Sequence, residues 1–151
     1  MTRINAGIKV NHLTDEHLLA EHIEIKRLPQ NYLKAIECGS IHRIPPSFKL
    51  GSGHILFFID KPRYTLNRYM KIYNECIKRG FDVPNFSDSW DDYPIPIPKK
   101  SEYTPSDVDR AIIIERITER LLQSPKAIFH YHNKEITAQE AIDILTQDLD
   151  F

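Results

Sequence analysis

The spacing of apolar and polar residues predicts helices over most of the chain. Thr14 or Asp15 caps a helix running through His17, Leu18, Ala20 and Ile25. Pro29 kinks or resets it, and Gln30 to Cys38 carries it on to Gly39, a natural C-terminal stop. A second helix is capped at Asp60, has Pro62 in its first turn, and sets Leu66, Met70, Tyr73 and Ile77 on one face before Gly80 ends it. Pro84, Pro94, Pro96 and Pro98 forbid a helix over 82–103, so this stretch reads as an extended strap pinned by Trp90 and Tyr93. A third helix starts at Thr104-Pro105, takes its apolar surface from Val108, Ala111, Ile112, Ile114, Ile117 and Leu121, and stops at Pro125. Phe129 and Tyr131 alternate with His130 and His132 before a turn at Asn133-Lys134, which predicts a short ribbon. Thr137-Ala138-Gln139-Glu140 is a capping box ahead of Ala141, Ile142, Leu145 and Leu149. The expected fold is therefore mostly α: one compact domain over 1–151 with three main helices, a long Pro-rich strap and an added C-terminal helix over 137–150.

Composition narrows the class. A chain of 151 residues suffices for one core. No apolar run approaches the length of a membrane span, and no signal peptide precedes the polar start, so a cytoplasmic monomer is expected, in a bacterial cell or phage-infected host. Cys38 and Cys76 are too few for a disulfide framework and read as reduced thiols. The net charge is −1, but residues 1–80 carry 13 Lys and Arg against 7 Asp and Glu (+6), and residues 81–151 carry 7 against 14 (−7). A basic face built mostly from the first half would attract phosphates by its local field, although an ordinary mixed surface gives the same counts.

The first three residues carry the candidate chemistry. Thr2 is small enough for Met1 to be removed, which leaves an α-amine beside Arg3. Such an amine has a reference pKa of about 7.7–8.0 against about 10.4 for lysine, so roughly a tenth or more of it is a free nucleophile at neutral pH. Amines of this kind form Schiff bases with carbonyl-like carbons. Farther along, His17, Glu21 and Glu24 stand at i, i+4 and i+7 and share a helical face. Read from the residues alone, Glu24 is a solvated helix residue and Thr2 an ordinary chain end.

Several stretches, in order, resemble the phage-type pyrimidine-dimer DNA glycosylases, the endonuclease V family of T-even phage. They are Met1-Thr2-Arg3-Ile4-Asn5; His17-Leu18-Leu19-Ala20-Glu21 with Glu24 and Arg27; Phe48 to His54 with Phe57-Phe58-Ile59-Asp60-Lys61; and Glu75 to Phe81. They run in the family's order, and the resemblance extends over most of residues 1–134. The resemblance implies a DNA glycosylase with apurinic/apyrimidinic lyase activity on cyclobutane pyrimidine dimers, needing no metal or organic cofactor. Its partner is double-stranded DNA carrying dimers or abasic sites, sharply kinked, with the base opposite the lesion extruded. It also implies that the Thr2 amine attacks C1′ and that Glu24, at the family's catalytic glutamate, assists β-elimination. Arg3, His17, Arg27, Lys34, Lys61, Arg116 and Arg120 match positions that bind the DNA backbone, Arg120 replacing a lysine.

The chain also departs from that pattern. Ile23 stands where the best-known members carry an arginine, Ile128 where an indole is expected, and His130 replaces a lysine. These changes bear on dimer specificity more than on lyase chemistry. They keep open a glycosylase for another damaged or modified base, a non-catalytic DNA-binding module, and an interaction protein whose acidic C-terminal helix (Glu135, Glu140, Asp143, Asp148, Asp150) docks a basic partner or masks the DNA face. His22 and Glu24 form an H-x-E, but the Pro-Cys-x-x-Cys that zinc deaminases require is absent. His130-Tyr131-His132 lacks an evident third metal ligand. Gly51-Ser52-Gly53 is too short for a phosphate loop and reads as a tight turn.

Overall fold

The computed structural model describes residues 4–94 and 102–147. Thr14 caps α1 (Asp15–Ile25), its hydroxyl accepting from the His17 amide, as its place ahead of Asp15 and Glu16 predicts. Lys26 and Arg27 close this helix, and α2 (Leu28–Glu37) starts afresh with Pro29 in its first turn. Gly39, in the left-handed region at φ 70°, ends α2. A single-turn helix, α3 (His54–Phe58), follows the Gly51–Gly53 turn where no helix was expected. It leads into α4 (Pro62–Lys78), the central helix.

The face of α4 that meets the core is wider than expected: Leu66, Met70 and Tyr73 pack against the core as their spacing predicts, but only half-buried. Ile77 is 48% exposed, whereas Thr65, Arg68, Tyr69, Ile72, Glu75 and Cys76 are buried. The centre of the buried face lies about one residue earlier, and it includes the cationic side chains of Arg68 and Arg79, which have buried carboxylate partners in Glu21, Asp15 and Glu75. An apolar-spacing argument does not see polar residues that are buried as pairs. Asp60 is not the cap: Lys61 occupies that position without a side-chain cap, and Asp60 pairs with the Lys61 ammonium at 2.7 Å.

Within the strap, where no helix was expected, Ser87–Asp92 form a 3-10 helix, in the stretch between Pro84 and Pro94 that carries no proline. Trp90 and Tyr93 are buried as expected, the indole N–H donating to Thr65 Oγ1 at 3.0 Å and the Tyr93 hydroxyl to the Ile59 carbonyl at 2.6 Å. Pro96 and Pro98 lie outside the described residues. Helix α5 (Asp107–Gln123) starts two residues later than Thr104-Pro105, because Ser106 and Asp109 form a reciprocal capping box. Its buried stripe is Ile113, Ile114, Ile117 and Leu121, while Val108 is exposed.

Strands β1 (Ile128–Tyr131) and β2 (Lys134–Thr137) pair antiparallel, with Phe129 opposite Ile136 and Tyr131 opposite Lys134. The turn is His132-Asn133, one residue earlier than expected, and both have positive φ (51° and 65°), as a tight hairpin turn requires. The Thr137–Glu140 capping box then opens α6 (Ala138–Thr146). Leu149, Asp148 and Asp150 lie outside the described residues. α1 packs on α4 and α6 on α5, around one core that includes Leu18, Ile25, Phe58, Tyr69, Ile113 and Leu145. The architecture is mostly helical with one small two-stranded sheet. Among the described residues, no helix is long and apolar enough to cross a membrane.

Candidate active site

Residues 4–9 form no helix or strand, yet Ile4, Asn5, Ala6 and Ile8 are at most 5% exposed. A buried irregular segment must find partners for its backbone polar groups. Here they come from side chains of other elements. The Ile4 amide lies 3.2 Å from His54 Nε2, and the Gly7 amide donates to the Tyr64 hydroxyl at 3.2 Å. The Arg68 guanidinium donates to the Ile8 carbonyl, and that of Arg79 to the carbonyls of Leu13 and Val10. Gly7 has φ +79°, and a Cβ there would sit 2.6 Å from the Arg110 side chain and 2.8 Å from that of Pro105. Only glycine fits this crossing.

The segment is tied to α1 through Glu21. This fully buried carboxylate accepts from Asn5 Nδ2 (2.9 Å), Arg68 Nε (2.8 Å) and Arg68 Nη2 (3.0 Å). A buried glutamate with three donors, two from one guanidinium, is fully compensated. Glu24, one turn on along α1, is different: its side chain is 22% exposed and its carboxylate is 3.6 Å from Arg27 Nη1. The expected shared face is therefore graded, with Glu21 inside the core and Glu24 at its rim. Thr2 and Arg3 lie outside the described residues.

The expected phosphate-binding residues fall into three groups. His17 is half-buried on α1, Nδ1 2.9 Å from the Thr14 hydroxyl, and burial lowers its pKa, with the nearby Arg120 cation adding to the effect. Since the Thr14 oxygen already accepts from the His17 amide, its proton can go to Nδ1, which leaves Nε2–H as a donor on the neutral ring. Arg120, near the end of α5, lies close enough to His17 on α1 for its charge to be felt there, and Arg116, one turn earlier on α5, is half-buried like Arg120. Arg27 and Lys34 are exposed. Lys61 departs from this group. It is 8% exposed, and its ammonium lies over the Phe57 ring at 3.8 Å and donates to the Phe57 carbonyl and Asp60. A cation so committed ties α3 to α4.

The singled-out histidines find other work. His22 is buried, with Nε2 3.1 Å from both the Pro84 carbonyl and the Tyr69 hydroxyl, and burial lowers its pKa. His130 is exposed and pairs with Glu16 at 2.6 Å, a contact that raises its pKa. His132 and Asn133 donate their amides to Asp15, so the hairpin turn is docked onto the start of α1. Among the described residues, no three His, Cys, Asp or Glu side chains are grouped to hold a metal.

Sequence reasoning singled out neither His54 nor Arg68. The one available signal for Arg68 was a cation in the middle of α4, at the same spacing as Thr65 and Ile72. Ile23 and Ile128, where the resemblance leads one to expect an arginine and an indole, are 47% and 48% exposed. A family model described as pyrimidine dimer DNA glycosylase matches residues 1–91, which span α1 to α4 and nearly all of the 3-10 turn, and therefore both Glu24 and the anchored first segment.

Proposed function

Because the chain belongs to the family of pyrimidine dimer DNA glycosylases, we propose that it excises pyrimidine dimers through its terminal amine and then cuts the strand as an abasic-site lyase. After removal of Met1, the Thr2 nitrogen attacks C1′ of the damaged nucleotide. The glycosidic bond breaks: the base takes the electron pair and a proton, and stays joined to its neighbour through the cyclobutane ring. Ring opening at C1′ gives an imine between the sugar and Thr2. The imine makes the C2′ proton acidic, the Glu24 carboxylate takes it, and the electrons expel the 3′ phosphate. Water then hydrolyses the imine and frees the amine.

The observation that carries this reading is the Asn5–Glu21 hydrogen bond. It ties the chain, three residues after Thr2, to the helix turn preceding Glu24. Three residues span at most about 10 Å, and the turn from Glu21 to Glu24 rises about 4.5 Å, so a terminal amine has the reach to meet the Glu24 carboxylate. A rim carboxylate whose Arg27 partner stands 3.6 Å away retains lone pairs for a proton transfer or for holding a protonated amine in place. Arg3, His17, Arg27, Lys34, Arg116 and Arg120 are the proposed phosphate contacts. Lys61 is left out because its ammonium is already bound.

Glu24→Gln tests the reading. The variant should bind duplex DNA containing an abasic site like the unchanged protein, yet fail to cleave it. Retained cleavage removes Glu24 from the mechanism. The exposed Ile23 and Ile128 favour one second reading, a glycosylase for another damaged base on the same scaffold. Cleavage of abasic duplexes without action on dimers would establish it.

A further inference from the structure

We propose that His54 is a positioning residue for the terminal nucleophile, holding the Ile4 amide and so confining the amine two residues away. This rests on the reading of Thr2 as the nucleophile. The geometry assigns the imidazole one tautomer. Nδ1 is 2.9 Å from the Lys49 carbonyl, which can only accept, so Nδ1 carries the proton. In the neutral ring Nε2 is then an acceptor, and it faces the Ile4 N–H at 3.2 Å. The ring is fully buried and held edge-on between Phe48 and Phe58, with centroids at 5.6 and 5.2 Å.

The loop that delivers His54 is itself locked. Gly51 and Gly53 both adopt positive φ, and the His54 amide donates back to the Gly51 carbonyl at 3.1 Å. The Lys49 carbonyl and the Ile4 amide are thus joined through one rigid ring. A buried ring with one nitrogen bound to a carbonyl and the other to a backbone amide has no spare atom for substrate. Its effect on catalysis is therefore indirect.

The size of that effect follows from chain reach. Anchored at Ile4, a terminal Thr2 can explore a radius of about 7 Å. If the anchor moves to Asn5 the radius is about 10 Å, and if it moves to Gly7 about 17 Å. The accessible volume rises as the cube, so the local concentration of amine falls roughly three- to fifteen-fold.

The test uses the full chain, with single-turnover cleavage of an abasic duplex and, separately, affinity for a duplex bearing an uncleavable tetrahydrofuran site. His54→Phe keeps an aromatic ring but removes the acceptor. His54→Gln offers an acceptor near the place of Nε2. Replacing Ile4 by its α-hydroxy acid turns the amide into an ester and removes the donor alone. Wild-type protein that cannot be trapped on abasic DNA by borohydride rejects the lyase reading itself. With trapping established, the expected result is a three- to fifteen-fold slower single-turnover rate for His54→Phe and for the ester, affinity within twofold of wild type, and a faster rate for Gln than for Phe. A folded His54→Phe or an ester protein within twofold of the wild-type rate overturns the proposal. So does a Gln variant no faster than Phe. If His54→Phe does not fold, the ester variant decides alone.

Discussion

Replacing Arg68 by methionine should be among the most damaging single changes in the first 91 residues. The guanidinium makes two hydrogen bonds to Glu21, at 2.8 and 3.0 Å, and a third to the Ile8 carbonyl. Methionine fills much of the space but leaves a fully buried carboxylate that has lost both guanidinium hydrogen bonds and keeps the one from Asn5 Nδ2. Removing one partner of a buried ion pair costs about 3–5 kcal/mol, mostly because the other charge is left uncompensated. For a domain of this size that corresponds to a fall in Tm of roughly 6–20 °C. The same change in a background where Glu21 is already glutamine should cost much less, since no buried charge is then orphaned. Thermal and urea unfolding of the two single variants and the double variant measure this coupling. Costs that simply add would refute the argument, because they would mean that Glu21 and Arg68 are not stabilised through each other.

Other consequences follow from single contacts. Gly7→Ala should destabilise the protein by at least about 1–2 kcal/mol, from the left-handed backbone alone and more from the contact with Arg110, measurable by urea unfolding. Glu16 raises the pKa of His130 while burial lowers those of His17 and His22, all from 6.5. The His130 contribution to stability is therefore present below 6.5 and lost as pH rises through its higher folded value; that of His17 and His22 is present above 6.5 and lost as pH falls. Ring-proton NMR titrations should give a midpoint above 6.5 for His130 and below it for the other two, and the reverse order would contradict the assignment. Cys38 is exposed, with its thiol pKa lowered by the Ser40 hydroxyl, whereas burial pushes Cys76 up to about 11, so a thiol reagent should label Cys38 in the native protein and Cys76 only after unfolding. If the five Arg and Lys side chains neutralise phosphates, log K should fall with log salt at a slope of about −4.5, and Lys34→Ala should flatten it by about 0.9. An unchanged slope would remove Lys34 from the interface.

What the sequence revealed best were features whose signal is local. The Thr137–Glu140 box, the Pro29 start of α2 and the Gly80 stop each depend on residues a few positions apart, and each stands where it was expected. The long-range polar pairs were hidden. Arg68 and Glu21 are 47 residues apart and His54 and Ile4 are 50 apart, and nothing in either neighbourhood announces its partner. For the same reason the buried face of α4 is centred about one residue away from the apolar stripe of Leu66, Met70, Tyr73 and Ile77, the first three of which still pack against the core. The candidate site was legible to a similar degree. Glu24 was located by its place in an ordered set of motifs, but only the structure separates it at the rim from Glu21 in the core. Lys61 was grouped with the phosphate-binding cations by position, while its environment commits it to Phe57 and Asp60.

Which nitrogen becomes bonded to the sugar decides between a terminal-amine mechanism and any other. Borohydride reduction of the protein on an abasic duplex, followed by nuclease digestion and peptide mass mapping, reads that atom out. A sugar remnant on the α-nitrogen of Thr2, in a chain lacking Met1, is the predicted result. A remnant on a lysine side chain, or a chain that keeps Met1 and still cleaves, would contradict it.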